Sequence, residues 1–238
     1  MSGSGNHRKQ AIWIAALVAT LASAFSATAD TVDVAPGVQV TRRTYPAPIN
    51  EQPFFGFSIK DSAQKAADAN FVTAIIQAAG TREKAFEETT KRGWRAINAG
   101  KMGEAAQRFN QAFLISPEQS GVYHGFAAVA QIRFKDFDAA EELFRIALRQ
   151  PQPLKALNAD YGRLLLIAKR PREAEPVLEQ ATRDAPDLAD AWTNLAWARF
   201  QNGDPASACA AAEQAARQRP SPTSASDLTA VRSVAQCK

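Results

Sequence analysis

The sequence predicts an all-α fold, a solenoid of about ten helices with four stacked helix pairs and a capping helix at each end. Its main support is an internal repeat, because four segments align without a gap. Their matched alanines are Ala105, Ala140, Ala174 and Ala208. The spacings of 35, 34 and 34 residues are typical of helix–turn–helix units, which bury their apolar faces only by stacking. Prolines close the repeats at a similar interval, at Pro117, Pro151, Pro186 and Pro220.

Residues 1–29 have the layout of a secretory signal peptide. A basic head at His7–Lys9 precedes the apolar run Ala11–Phe25, and the small residues of Ala27–Ala29 form an exit site. This layout predicts cleavage after Ala29 and a periplasmic or secreted protein. The alternative is an uncleaved membrane anchor, although a span needs roughly 20 apolar residues. No second apolar run follows, so we expect no stable membrane span after cleavage.

Residues 30–60 form a proline-rich arm for which we expect no regular element longer than a few residues. Within the arm, Pro53–Phe57 is an aromatic cluster without periodic context. Two interpretations remain open. Either these rings fold back onto the first helices as a cap, or they form an interaction motif for another protein.

Helical patterning begins at Asp61, an N-cap candidate with Gln64 three residues later. We expect a flanking helix over residues 61–80, ended by Gly80, and a second helix capped by Thr81. Residues 81–220 then hold the four helix pairs.

Later helix boundaries follow from further start signals. Ser116–Gln119 reads as a capping box with proline at the first helical position. Pro171 and Pro205 mark two more helix starts. Residues 221–238 form a last helix that covers the open face of the final repeat.

At these residues the four units resemble the tetratricopeptide repeat, whose helix-pair pattern places small residues, an aromatic residue or leucine, and proline at set positions. The fourth unit matches it best, with Trp192, Leu195, Ala196, Gly203, Ala208, Ala215 and Pro220. In such a pattern, small residues such as Gly93 and Gly162 let paired helices approach closely. Large residues such as Phe109, Phe144 and Leu178 fill the space between them. The resemblance implies a right-handed superhelix.

The resemblance also implies that the first helix of each pair lines a concave groove that binds a partner. The matching groove positions are Lys91, Trp94, Asn98, Val129, Arg133, Arg163, Leu166, Asn194, Trp197 and Gln201. Some family members hold a partner's terminal carboxylate with lysine, asparagine and arginine. The corresponding positions here are Thr90, Trp94, Gly125, Ala159 and Arg163, so that clamp is largely missing. Both tryptophans are also compatible with plain packing between helices.

Catalytic, metal and nucleic-acid chemistry find little support in the sequence. The formal charge of +4 is weak and mixed, whereas nucleic-acid binding needs a clustered basic stripe. His124 is the one histidine after residue 29, so a histidine triad or multi-histidine metal site is excluded. Neighbouring glutamates such as Glu141 and Glu142 read as solvated helix faces. We therefore expect no enzyme, cofactor or metal.

The two cysteines, Cys209 and Cys237, suggest a disulfide. In an oxidising compartment a bond between them staples the last helix onto the stack. The alternative is two separate thiols.

The leading functional hypothesis is a scaffold or assembly factor of the bacterial cell envelope that binds a protein or peptide partner in the groove. A rival class is a module for a small hydrophobic or lipid-like ligand. A third hypothesis is self-association, in which Phe54, Phe55 and Phe57 of one chain fill the groove of another. Groove shape separates the first two, because a peptide needs an open trough and a small ligand an enclosed pocket.

Overall fold

The computed structural model describes residues 30–238, and the predicted signal peptide lies outside them. Ten α-helices follow one another within this range, and a small two-stranded sheet precedes them. The helices are α1 (Ser62–Ala79), α2 (Arg82–Asn98), α3 (Met102–Ile115), α4 (Ser120–Val129), α5 (Phe137–Ala147), α6 (Leu157–Ile167), α7 (Pro171–Asp184), α8 (Ala189–Gln201), α9 (Pro205–Arg217) and α10 (Pro222–Val234). The four repeats are the pairs α2/α3, α4/α5, α6/α7 and α8/α9, and α1 and α10 flank them.

Side-chain caps begin several helices where the sequence predicts them. The Asp61 carboxylate accepts from the Gln64 amide and the Gln64 side chain bonds back to Asp61, so α1 starts with a complete capping box. Thr81 caps α2 through the Lys84 amide. Gly80, at φ 88°, ends α1 in a conformation that suits glycine.

One predicted boundary is wrong. The segment Ser116–Gln119 does not cap a helix, because α4 begins only at Ser120 and has no side-chain cap. Residues 117–119 form a turn, and the Ser120 hydroxyl instead donates to the carbonyl of Ala147 at 2.8 Å. The Ser120 amide also donates to the carbonyl of Pro151 at 3.3 Å, so a tertiary acceptor takes the place of a side-chain cap at this helix start.

Glycine makes the close approach of paired helices possible. A Cβ atom on Gly93 would lie 2.8 Å from the Phe109 ring, and one on Gly162 would lie 2.4 Å from Leu178. Both Phe109 and Leu178 are fully buried. The prediction is therefore confirmed at two pairs: a glycine of the first helix faces a large residue of the second, where α2 packs on α3 and where α6 packs on α7.

The arm contains a β-hairpin that the sequence analysis does not predict. Strand β1 (Thr31–Ala35) pairs antiparallel with β2 (Val38–Thr41), with Val32 opposite Val40 and an irregularity between Asp33 and Ala35. Val38 and Val40 are buried in the main core.

After the hairpin the arm crosses α3, α4 and α5. Phe54 enters the core against Phe113 and Phe126, with ring centroids 5.4 and 4.7 Å away. The four residues Phe54–Phe57 all have φ between 53° and 59°. Three of these residues carry Cβ atoms, so the turn is strained and depends on the surrounding contacts. The arm therefore packs on α3 and α5, the second helices of the first two pairs, and Phe54 also contacts α4, the first helix of the second pair.

Hydrogen bonds hold the arm against α3 and α5. The fully buried Asn110 on α3 donates to the carbonyls of Asn50 and Gln52, at 3.0 and 2.7 Å, and accepts from the Phe55 amide at 3.1 Å. Glu142 accepts from the Thr41 amide at 2.6 Å.

The prediction that Glu141 and Glu142 lie on solvated helix faces is also wrong, because both side chains are half-buried in ion pairs. Glu141 pairs with Arg145 of its own helix at 2.6 Å and with Arg170 at 2.5 Å. Glu142 pairs with Arg43 of the arm at 3.4 Å. Each glutamate on α5 therefore links a different neighbouring segment, which periodicity alone does not reveal.

The C-terminal end is closed by α10, which packs on α8 and α9. Leu228 and Val231 of α10 are buried in the core. Cys209 on α9 is disulfide-bonded to Cys237, which follows α10. No helix among residues 30–238 is both long and apolar enough to cross a bilayer.

Candidate functional site

The first helices of the repeats border one open cavity of about 580 Å³, which we call the groove. It extends from α2, past the end of α4, to α6 and the start of α8. Its apolar lining residues are Trp94, Ile97, Ala128, Ile132, Phe137, Phe144, Ala156 and Ile167. Its polar lining residues are Asn98, Gln131, Lys135, Asp160, Arg163 and Asp190.

The groove exposes large apolar side chains to solvent. Ile132 is 40% exposed and Ile167 is 48% exposed, and both lie on this one surface. An exposed apolar surface with a polar rim is typical of an interaction site. Because these residues stay accessible, the groove is an open trough.

A buried histidine contacts two residues of the groove lining, Asp160 and Trp94. His124 is 1% exposed, and its Nε2 lies 2.8 Å from Oδ2 of Asp160. Because an ionised carboxylate only accepts hydrogen bonds, the imidazole is the donor. The His124 ring also packs against Trp94, with centroids 4.7 Å apart, and against Phe144 at 5.6 Å.

Two buried polar atoms beside the groove have no hydrogen-bond partner among residues 30–238. They are Nδ1 of His124 and Nε1 of Trp94. Buried polar atoms are normally paired, and each exception calls for an explanation. Both belong to side chains that touch each other at the edge of the groove.

The charged groups of the groove differ in how far they are neutralised. Arg163 on α6 pairs with Asp227 of α10 at 3.1 Å, so the capping helix already balances its charge. Asp160 contacts His124, and no lysine or arginine of the described chain lies within salt-bridge distance of Asp160 or Asp190. Lys135 is the remaining cation of the lining and has no ion pair within residues 30–238.

Three of the sequence-predicted groove residues, Trp94, Asn98 and Arg163, come together in this cavity. Lys91 and Gln201 are exposed but lie outside its lining, and Lys91 pairs with Glu88 at 3.7 Å.

Three other predicted positions do not line the groove. Val129 is fully buried because α4 is covered on all sides. Asn194 is buried and donates to the carbonyl of Ala159 at 3.3 Å. Arg133 reaches the arm instead, where its Nη2 lies 2.6 Å from Glu51 Oε2.

The different direction of Arg133 has a local cause. A π-helical turn, Ala130–Phe134, follows α4. Such a turn takes one residue more than an α-helical turn, so side chains beyond it change direction relative to a regular helix. Ile132 therefore faces the groove while Arg133 faces the arm.

The last two predicted residues, Leu166 and Trp197, are half-buried and pack against the core. The Trp197 ring lies edge-on to Phe200, with centroids 6.1 Å apart. Packing accounts for both side chains, and neither lines the groove.

Asp160 is the main groove residue that the sequence analysis misses. One signal could have found it. A histidine at the tryptophan position of the second unit, if buried, needs a polar partner. Asp160 lies 36 residues further on, close to one repeat length, and therefore on the equivalent helix of the next unit.

Among residues 30–238, no group of three or more histidine, cysteine or carboxylate side chains is placed to hold a metal ion. What the groove offers chemically is an apolar surface, an indole and a fixed carboxylate.

Comparisons with known proteins agree with this architecture. Residues 160–225 match the model of the tetratricopeptide repeat. No curated protein matches the sequence. The fold is similar to that of pilF of Pseudomonas aeruginosa, at 24% identity and a TM-score of 0.56, over 65% of this chain and 71% of that one.

Two further solved structures are similar. TTC0263, a thermophilic TPR protein of Thermus thermophilus, is 18% identical with a TM-score of 0.51, over 71% of this chain and 98% of that chain. Yeast Tom70 is 20% identical with a TM-score of 0.51, over 72% and 39% respectively. At these identities the likeness concerns the fold alone. The fold is therefore that of a tetratricopeptide-repeat solenoid, and residues 160–225 match the sequence pattern of that family as well.

Proposed function

We propose that this protein is a non-enzymatic scaffold or assembly factor of the bacterial cell envelope that binds a segment of a partner protein in the groove. The observation that carries the proposal is that Trp94, Ile132 and Ile167 line one open cavity bordered by the first helices of the repeats, and that Ile132 and Ile167 are exposed there. Solenoids commonly use such extended concave surfaces for binding.

The envelope location rests on the N-terminal sequence. The basic head, apolar run and small-residue exit of residues 1–29 favour export and cleavage after Ala29. The bond between Cys209 and Cys237 agrees with an oxidising compartment, since such bonds persist mainly outside the cytosol. Cell fractionation and the intact mass of the purified protein test this part. A mature chain that begins at Asp30 supports it, and an uncleaved chain in the cytoplasmic fraction contradicts it.

The open shape of the groove favours a protein segment over a small hydrophobic or lipid-like ligand. Sites for small ligands usually enclose most of the ligand surface, whereas Ile132 and Ile167 remain widely exposed. Self-association through the aromatic cluster has less support, because Phe54 is buried within its own chain.

Site-specific photo-crosslinking in living cells tests groove binding. A photoreactive amino acid replaces Ile132 inside the groove or, as a matched control, Leu148 outside it. The two positions are similarly exposed, at 40% and 37%. We expect a discrete protein adduct from position 132 and none from position 148.

A second variant tests whether the adduct depends on the site. Trp94→Ala removes the indole that lines the groove, and we expect it to weaken or abolish the adduct at position 132. Equal adducts from both positions, or an adduct that Trp94→Ala leaves unchanged, would argue against the groove as the binding site.

A further inference from the structure

We infer that the groove recognises a cationic side chain, lysine or arginine, that lies between apolar residues of the partner segment. This inference rests on the proposed function and specifies the chemistry of the partner. The recognition centre is the pair Trp94 and Asp160, both of which contact His124 and line the groove.

The first argument is that Asp160 is held in place by His124 and has no lysine or arginine partner in the described chain. Its Oδ2 atom accepts from the buried imidazole of His124 at 2.8 Å, and the other carboxylate oxygen makes no hydrogen bond within residues 30–238. The side chain is 44% exposed. A carboxylate that is oriented by a buried donor and faces solvent is suited to a cationic partner group.

The second argument is the neighbouring indole. Trp94 borders the groove beside the same histidine. The face of an indole attracts lysine and arginine side chains and also packs against their aliphatic stems. An indole next to a carboxylate therefore suits both parts of a long basic side chain.

The third argument is the charge balance of the lining. Arg163 is balanced by Asp227 at 3.1 Å. Asp160 and Asp190 have no lysine or arginine partner in the described chain, and they outnumber the one unpaired cation of the lining, Lys135. The groove is therefore complementary to a cation and unfavourable for a partner's carboxylate.

The fourth argument concerns the residues on either side. Ile97, Ile132 and Ile167 border the same groove. They offer contacts for apolar partner residues before and after the basic one. A segment with one basic residue between apolar residues thus matches the whole surface, whereas a uniformly basic segment does not.

A displayed library of random short peptides, selected with the full chain, tests this inference. We expect the selected peptides to share a lysine or arginine flanked by apolar residues. A selected peptide and its copy with norleucine in place of the basic residue are then compared by fluorescence anisotropy. We expect the basic peptide to bind about fivefold to tenfold more tightly, from one ion pair and one cation–π contact.

Asp160→Asn supplies the specific test, because it removes the charge and keeps an acceptor for His124. We expect it to reduce this preference to within about twofold while leaving the norleucine peptide's affinity unchanged. Asp138→Asn is the matched control, since Asp138 is an exposed residue in the first turn of α5 and does not line the groove. It should leave both affinities unchanged.

The outcomes separate this inference from the function on which it rests. Selection of apolar peptides without a basic position leaves groove binding intact and overturns the cation inference. So does an equal loss of both peptides in Asp160→Asn. If no peptide that depends on Trp94 is selected at all, both the proposed function and the inference fail.

Discussion

At the scale of single residues, glycine sets how closely paired helices approach. Gly162 faces Leu178 with no room for a methyl group, because an added Cβ would lie 2.4 Å from both Cγ and Cδ2. The clash involves the branch point of a fully buried side chain, so rotation of a flexible end does not relieve it. We expect Gly162→Ala to lower the free energy of unfolding by about 1–3 kcal/mol, as overpacking does. Chemical denaturation monitored by circular dichroism measures the change.

Gly121 offers the matched control, since it is also a buried helical glycine. A Cβ there would lie 3.5 Å from the nearest atom of Phe86, which is ordinary contact. Gly121→Ala should therefore be neutral or stabilising by up to about 1 kcal/mol, because alanine favours helix. Equal destabilisation by the two variants would contradict the packing explanation.

Sequence reasoning succeeds for residues whose role follows from the repeat and fails where a local irregularity intervenes. Gly162 and Leu178 could be assigned because both belong to a pattern with a fixed period. The direction of Arg133 could not be assigned, because the repeat pattern does not indicate the π-helical turn that redirects this side chain. Val129 is buried because α4 is covered on all sides, and the repeat pattern does not include the arm that packs there.

At the scale of elements, the arm is part of the fold. Two neighbouring phenylalanines of its aromatic segment differ in burial. Phe54 is buried, whereas Phe55 is half-buried. Phe54→Ala should lower the free energy of unfolding by about 3–5 kcal/mol, since it leaves a cavity against Phe113 and Phe126. Thermal unfolding of the purified variants provides the measurement.

Phe55→Ala is the comparison for this prediction. Phe54 and Phe55 have nearly the same backbone angles, with φ of 55° and 53°, so alanine at either position retains the same backbone strain. Phe55 loses chiefly its contact with Lys60, whose Nζ lies 3.4 Å from the ring centroid. A loss at Phe55 as large as that at Phe54 would show that the buried ring does not hold the arm.

The arm illustrates a second limit of sequence reasoning. The prolines of residues 30–60 indicate irregular structure, and the segment holds only short elements, two strands and two 3-10 turns of three to five residues each. The choice between a cap and an external motif depends on Asn110, which lies in another element and makes three hydrogen bonds to the arm backbone. The sequence around a buried asparagine does not indicate which distant backbone groups its side chain binds.

The ion pairs of α5 predict a pH dependence. The hydrogen bond from Arg170, followed by the charge of Arg145 and a hydrogen bond from Tyr161, lowers the pKa of Glu141 against the opposing effect of burial. A carboxyl whose pKa is lower in the folded state stabilises the fold above its unfolded pKa of about 4.3. That stabilisation is lost as the pH falls below this value.

Glu141→Gln should therefore cost about 1–2 kcal/mol at pH 7 and progressively less at acidic pH. Urea unfolding at several pH values between neutral and acidic provides the test. Glu88→Gln is the control, because Glu88 is an exposed residue that pairs with Lys91 at 3.7 Å. A Glu141→Gln effect that does not change with pH would contradict the ion-pair explanation.

At the scale of the whole molecule, the two ends of the solenoid are stabilised differently. In a solenoid each unit chiefly contacts its neighbours, so stability is nearly a sum of local terms. The arm adds contacts between residues far apart in sequence, such as the Thr41 amide with Glu142 and Glu51 with Arg133. The C-terminal units rely on neighbouring helices, on the pair Arg163–Asp227 and on the disulfide.

This difference predicts where the protein opens first. The 28-residue separation of Cys209 and Cys237 corresponds to roughly 3–4 kcal/mol on the chain-entropy estimate. Removing the bond with Cys209→Ser/Cys237→Ser should therefore lower the opening free energy of α9 and α10, while α3 to α5 remain protected because the arm ties them together. Native-state hydrogen exchange resolves the two regions, and mass spectrometry without reductant first establishes that the parent chain holds no free thiol. A uniform loss of protection over all helices would mean that the solenoid unfolds as one unit. In that case the arm and the disulfide would stabilise the same cooperative core rather than two separate ends.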